Sequence, residues 1–143
     1  MMIIRSATPK DIAAIYELLH HELGYAVNPV LFQARFSRML QAKETYTIFV
    51  AEKNDVIIGF LAAARGMALE LEADYLRIIG LAVQQDLQGQ GIGSMLLEKI
   101  TEHAVEEGIL MLHLTSGLSR KEAHLFYEKK GFSRSGYSFT KTI

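Results

Sequence analysis

The chain contains no cysteine. That absence excludes disulfide bridges, cysteine-ligated metal sites and a thiol nucleophile. Charges nearly cancel, since 15 lysines and arginines face 16 aspartates and glutamates for a net charge of −1. This balance indicates no nucleic-acid partner and no anionic membrane partner. No run approaches the roughly 18 consecutive apolar residues of a membrane span, and no signal peptide opens the chain. We therefore expect a cytoplasmic protein.

The length and apolar content predict a folded core. The chain has 143 residues, of which half are apolar. A chain of this length buries about two-thirds of the surface that its unfolded form exposes. It has no repeats and no linker, so we expect one domain over residues 1–143.

Three glycines at every second position, Gly89, Gly91 and Gly93, separate an apolar run from an amphipathic stretch. This order predicts a strand, a glycine turn and a helix. Glycine lets the backbone approach a ligand closely, because no Cβ blocks the way. The first N–H groups of a helix are unpaired, and the helix dipole makes that end positive. Such a helix start binds phosphate groups, so the segment predicts a phosphate-bearing cofactor.

The spacing around the glycines does not fit the two common nucleotide motifs. A P-loop requires Lys and then Ser or Thr after its last glycine, whereas Ser94 and Met95 follow Gly93. The dinucleotide fingerprint requires glycine at its sixth position, where this chain has Ser94. That fingerprint also normally lies in the first βαβ unit of a chain, whereas these glycines begin at residue 89 of 143. Neither interpretation fits well.

Periodicity and capping signals predict the element order β-α-α-β-β-β-α-β-α-β. Thr8 and Asn28, each followed by proline, are expected to cap the first two helices, and Ser119 is expected to cap the last. A hairpin is expected at residues 53–55. Strands are expected at 3–7, 45–52, 56–64, 76–83, 109–114 and 132–140, with helices in between.

Two motifs identify a family. The spacing Gln88-x-x-Gly91-x-Gly93 resembles the acyl-CoA pyrophosphate loop of the GNAT N-acetyltransferase superfamily. The segment at 123–132, A-H-L-F-Y-E-K-K-G-F, resembles the family pattern A-x-x-F-Y-E-K-x-G-F at the expected distance. With the strand at 79–83, the similarity covers roughly residues 45 to 132. Short segments at 22–25 and 139–141 are similar to small bacterial members that acetylate small amines.

The resemblance implies an α/β fold with a mixed central sheet and helices on both faces. It also implies acetyl-CoA as the donor, no metal, and a small-molecule primary amine as the acceptor. In this fold the strands at 76–83 and 109–114 splay apart, and the pantetheine arm lies in the gap. A homodimer is common in such folds, although no residue here proves one.

The resemblance assigns roles to particular residues. Backbone N–H groups near Leu81 to Val83 would polarise the thioester carbonyl, and Tyr127 would protonate the leaving thiolate. The alternative interpretation of Tyr127 is a core tyrosine. The residues expected to contact the cofactor are Leu81, Ala82, Val83, Gln88, Gly89, Gln90, Gly91, Ile92, Gly93, Ser94, Arg120 and Phe126.

The acceptor side is less defined. The family often has Glu where this chain has Arg77, so the usual base is missing or displaced, and Arg77 could instead pair with an acidic group of the substrate. Tyr25 and Asn28 are guesses at further substrate contacts. The substitutes for the base are an ordered water, Glu22, Glu70, Glu72, Asp74 and His113.

Three functions stay open at this point. The first is acetyl transfer to a small amine by direct attack in a ternary complex, because no cysteine is present to carry an acyl group. The second is a non-catalytic acyl-CoA-binding regulatory domain, which the missing Glu at Arg77 favours. The third is acetylation of a protein or peptide.

Overall fold

The computed structural model describes all 143 residues, which group into two units, Met1–His113 and Leu114–Ile143. No helix of the fold combines the length and the apolar character that crossing a membrane requires. In chain order the elements are β1 (Met2–Ser6), α1 (Ile12–Leu23), α2 (Pro29–Gln41), β2 (Tyr46–Lys53), β3 (Val56–Gly66), β4 (Tyr75–Val83), α3 (Ile92–Glu106), β5 (Met111–His113) and α4 (Lys121–Lys129), with short 3-10 turns at Pro9–Asp11 and Gln85–Leu87.

The first unit is built on a five-stranded sheet in the order β1-β2-β3-β4-β5. The first four strands pair antiparallel, and β5 pairs parallel to β4. The predicted hairpin joins β2 to β3, and its turn residues Asn54 and Asp55 both take positive φ, at 51° and 64°. Two successive positive φ values suit the twist of a tight hairpin. The predicted α/β fold with a mixed sheet is confirmed.

Helices cover both faces of this sheet. One face forms a core with α1 and α2, and its buried members include Ile15, Phe36 and Phe60. The other face packs against α3, because a Cβ placed on Gly59, the neighbour of Phe60, would lie 3.5 Å from side-chain atoms of Ile92 and Leu96. Alternate residues of a strand point to opposite faces, so β3 is apolar on both sides.

β4 carries an irregularity that the sequence does not signal. Ala62 of β3 pairs with Gly80, whereas the next residue, Ala63, pairs with Ile78. Ile79 therefore has no partner on β3 and forms a β-bulge. A bulge increases the local twist and changes the direction of the strand. It lies in the middle of β4, four residues before the end that leads to the glycine segment.

An ion pair between the partly exposed Arg5 and the buried Asp11 ties β1 to the turn before α1. Arg5 donates to both carboxylate oxygens of Asp11, at 2.8 and 2.9 Å, and its guanidinium also lies 3.3 Å from Glu52 on β2. Asp11 is only 4% exposed, and its carboxylate also accepts the Thr8 backbone N–H at 2.8 Å. Thr8, which was expected to cap the first helix, caps the short 3-10 turn before it, and Asp11 is the N-cap residue of α1.

Three predictions about the later part of the chain are wrong. No strand forms over residues 132–140, which are not regular and have no ladder partner. β5 is three residues long, not six. α4 begins at Lys121 with Arg120 at its N-cap, and no side chain caps it, so the Ser119 capping box does not form. The His124 imidazole instead contacts the Gly117 carbonyl at 2.7 Å.

Candidate active site

The glycine segment connects the end of β4 to the start of α3 through a short 3-10 turn. Gly89 and Gly91 have φ of 82° and 84°, which L side chains rarely adopt, and Gly91 is the N-cap of α3. A Cβ added to either glycine would meet no atom within 4 Å. These residues are therefore glycine because of the backbone conformation, and the space beside them is open to a ligand.

The backbone N–H groups of residues 89–94 have no acceptor within the protein. The first hydrogen bond of α3 runs from the Met95 N–H to the Gly91 carbonyl at 3.0 Å, and no side chain caps the helix. Unpaired donors at a helix start carry the positive end of the helix dipole. A segment of this kind supplies several donors to one anion without any charged side chain.

The side chain of Gln88 has a structural partner. Its Nε2 donates to the Val83 carbonyl at 3.0 Å, which closes the turn between β4 and the glycines. Gln88 was predicted to contact the cofactor because it begins the motif that resembles the acyl-CoA pyrophosphate loop. In this chain the side-chain amide holds the loop in position, and the backbone N–H of Gln88 donates to the Gln85 carbonyl at 3.2 Å, so that N–H is not free for a ligand.

β4 has a free backbone edge in front of this loop. It pairs with β5 over three residues only, Tyr75, Leu76 and Arg77. From Ile78 to Val83 its sole strand neighbour is β3, because β5 ends at His113; the predicted splaying of the two parallel strands stays a prediction. Every second residue of such an edge presents an unpaired N–H and C=O. Leu81, Ala82 and Val83 lie on this edge.

The donors present fit the chemistry of coenzyme A. Its diphosphate requires several N–H donors, which residues 89–94 offer, and its pantetheine amides can pair with an open strand edge. Both features follow one another along a single stretch of backbone, from Ile78 to Ser94. No group of three His, Asp or Glu side chains is arranged to hold a metal ion.

The second unit holds the other residues that were predicted to act on the cofactor: Phe126 and Tyr127 lie on α4, and Arg120 is its N-cap. Tyr127 is half-buried and its ring makes edge contacts with Phe126 and Phe132, with centroids 5.5 and 5.7 Å away. Burial raises the pKa of Tyr127, and the nearby charge of Arg120 opposes that rise. The phenol is therefore protonated at neutral pH, as a proton donor must be. Its approach to a thioester stays a prediction.

The family comparison agrees with this geometry. A family model described as "Acetyltransferase (GNAT) family" matches residues 12–132. The chain belongs to this family. Aminoalkylphosphonate N-acetyltransferase of Salmonella typhimurium is 29% identical over 148 residues, which cover 98% of this chain and 90% of that protein. An uncharacterised N-acetyltransferase of Bacillus subtilis is 32% identical over 102 residues, 71% of each chain. The protein is therefore an N-acetyltransferase.

Solved structures show the same fold. A transcriptional regulator from Bacillus halodurans C-125 superposes with a TM-score of 0.90 at 25% identity, over 100% of both chains. A protein described as a predicted acetyltransferase, from Clostridium acetobutylicum and solved with acetyl-CoA, superposes with a TM-score of 0.83 at 22% identity, over 99% of this chain and 96% of that one. The family match spans parts of both units, and their forming one domain stays a prediction.

On the acceptor side of this N-acetyltransferase, two guessed substrate residues lie in the connection between α1 and α2. Asn28 is the N-cap of α2, and its Oδ1 accepts from the Val30 and Leu31 N–H groups at 3.0 and 3.1 Å. Tyr25 is 59% exposed, and its backbone carbonyl contacts the ring of His20 at 3.1 Å. The oxygen of Asn28 is thus engaged in capping, whereas the Tyr25 phenol has no partner.

The candidates for the base differ in how free their side chains are. Glu22, on α1, accepts the Gln85 N–H at 3.0 Å, which brings its carboxylate beside the turn that follows β4. Asp74 is bound to Arg65 at 2.6 Å. His113 is exposed on β5. Glu70 and Glu72 are exposed in the connection before β4 and make no hydrogen bond through their side chains.

A cavity of about 440 Å³ includes one of these candidates, Asp74, but not the glycine loop. It is lined by Arg65, Asp74, Glu107 and neighbouring residues, and so sits where β4 begins. The glycine loop follows the opposite end of the same strand. Arg65 bridges both carboxylates inside it, at 2.6 and 3.3 Å. We assign no part of acetyl transfer to this cavity.

Proposed function

We propose that this N-acetyltransferase takes acetyl-CoA as its donor and acetylates the primary amine of a small molecule. One observation carries the proposal: the free edge of β4 runs directly into a loop whose amides, residues 89–94, lack any acceptor. The solved Clostridium acetobutylicum neighbour, which contains acetyl-CoA, supports this choice of donor.

The binding roles follow from the backbone. The N–H groups of residues 89–94 hold the diphosphate, and Ser94 adds its hydroxyl. The β4 edge at Leu81 to Val83 pairs with the pantetheine arm and directs an N–H at the thioester oxygen. A donor that is fixed before reaction stabilises the negative charge that develops on that oxygen, and removing one such donor typically costs about 100- to 1,000-fold in rate.

Acetyl-CoA supplies a thioester, whose carbonyl carbon accepts the nitrogen of the neutral amine. In this proposal Tyr127 gives its phenolic proton to the departing sulfur, and Phe126 and Arg120 contact the cofactor. The amine attacks directly in a ternary complex, because the chain has no cysteine to carry the acetyl group. The acceptor ammonium first loses one proton to water or to one of the acids described above. As the C–N bond forms and the C–S bond breaks, the nitrogen loses its second proton, and Tyr127 regains a proton from solvent.

A small-molecule acceptor is supported by the Salmonella typhimurium relative, whose name specifies an aminoalkylphosphonate and which matches nearly the whole chain. The test is release of free thiol from acetyl-CoA over a panel of small amines and lysine-containing peptides. We expect amine-dependent release that saturates with small amines. Saturation with peptides alone would contradict the small-molecule acceptor. Release that no amine stimulates would contradict catalysis.

A further inference from the structure

Arg77 differs from the other arginines of the sheet. Arg5 on β1 and Arg65 on β3 each bridge two carboxylates. Arg77 on β4 is exposed and forms no ion pair and no hydrogen bond through its side chain. The acid that immediately precedes β4, Asp74, is already bound to Arg65. The Arg77 guanidinium therefore keeps its full charge and all of its donors.

The register of the sheet places Arg77 beside a second polar group. Its partners are Ala64 on β3 and His113 on β5. Residues directly opposite one another share a face, so the methyl of Ala64 and the imidazole of His113 flank Arg77. Tyr75, two residues earlier, is on the same face, and its ring makes an edge contact with that of His113 at 6.3 Å.

This face is the one that α1 and α2 cover further along the sheet. Ala62, two residues before Ala64, is buried in the core that those helices form. Around Arg77 the cover is missing, since Arg77 and His113 are both exposed. The chain thus has an open polar patch beside the point where β4 and β5 separate. Arg77 and His113 offer N–H donors there, and neither makes a bond to a carboxylate.

We propose that Arg77 binds an acidic group of the acceptor, so that the preferred substrates are small amines that also carry a phosphonate, phosphate or carboxylate. This inference rests on the proposed function. A guanidinium presents donors in a planar fork that matches the oxygens of such groups, and bidentate pairs are both strong and specific in orientation. His113 supplies a further donor. Held by its acidic end, the substrate presents its amine at a fixed distance from Arg77.

Steady-state kinetics with matched amines test the proposal. The probes are 2-aminoethylphosphonate, β-alanine and the neutral propylamine, each at saturating acetyl-CoA. We expect Arg77→Gln to lower kcat/KM for the preferred acidic amine by about 10- to 100-fold, mainly through KM, since hydrogen bonds to charged groups are worth that much. Propylamine should change by less than about threefold. Arg77→Lys should restore part of the loss, because it keeps the charge without the fork.

The control is Arg35→Gln, which removes the same charge from an exposed position on α2 and should leave all three amines unchanged. The two acidic probes show which oxyanion is bound. Equal losses for acidic and neutral amines in Arg77→Gln would overturn the proposal, as would no loss at all. If the wild type acetylated propylamine but neither acidic amine, this inference would fall while the proposed function stood. If it acetylated none, both would fall.

Discussion

Replacing Gly91 by alanine is the sharpest perturbation of the cofactor loop. Gly91 has φ of 84° and ends the loop at the N-cap of α3. An alanine in the left-handed region costs about 1–2 kcal/mol. The added methyl meets no protein atom within 4 Å, so it projects into the space that we assign to the diphosphate. The change therefore strains the loop without disturbing the core.

The expected magnitude follows from that strain. If the loop relaxes in the free protein, binding must restore the left-handed conformation, and the whole cost of about 1–2 kcal/mol appears as a 5- to 30-fold weaker affinity for coenzyme A. Any part of the strain that stays in the free protein appears instead as a loss of stability. The two losses together should equal the cost of the strained residue.

Gly108→Ala is the matched control. Gly108 follows the other end of α3, has φ of 71°, and likewise has open space where a Cβ would lie. Calorimetric titration with coenzyme A and urea unfolding should be measured for both variants. We expect Gly108→Ala to lose only stability and Gly91→Ala to lose affinity. Because the methyl at residue 91 also enters the space that we assign to the diphosphate, equal affinities in the two variants would refute the assignment of the loop.

Three further predictions address the rest of the chain. Asp11→Asn should lower the free energy of unfolding at neutral pH by about 2–4 kcal/mol, because it breaks the ion pair between the buried Asp11 and Arg5. The Arg5 guanidinium holds the pKa of Asp11 below its ordinary 3.8. The stabilisation by the ion pair is therefore fully present above pH 3.8 and is lost as the pH falls through the pKa of Asp11 in the folded protein. Urea unfolding should find that the stabilities of the wild type and the variant converge in acid. Tyr127→Phe should lower kcat about 100-fold or more while calorimetry finds coenzyme A affinity unchanged; an unchanged kcat would leave Tyr127 as a packing residue. Gln88→Arg should tighten coenzyme A binding about 2- to 5-fold, an effect that high salt removes; weaker binding would show that the bond to Val83 matters more than the added charge.

The sequence predicted the loop and its flanking elements because their signals are local. A strand, glycines at alternate positions and an amphipathic stretch lie next to one another in the chain, and each turn or helix end depends on a few neighbouring residues. The hairpin at Asn54 and the helix start at Asn28 were predicted for the same reason. The gap beside β4 was expected from the family resemblance alone.

What could not be predicted depends on distant partners. The bulge at Ile79 arises from pairing with β3, and the ion pair joins Arg5 to Glu52, 47 residues away. The alternating pattern around Tyr137 and Phe139 favours a strand, but a strand requires a neighbouring backbone, and none pairs with this segment. The unpaired state of Arg77 likewise follows only from seeing Asp74 bound to Arg65.

Titration of the isotope-labelled protein with coenzyme A, followed by amide NMR, tests the central claim most directly. The account predicts saturable shifts concentrated in the backbone amides of residues 89–94 and in the β4 edge from Ile78 to Val83. Shifts that saturate elsewhere while these amides stay unchanged would contradict it.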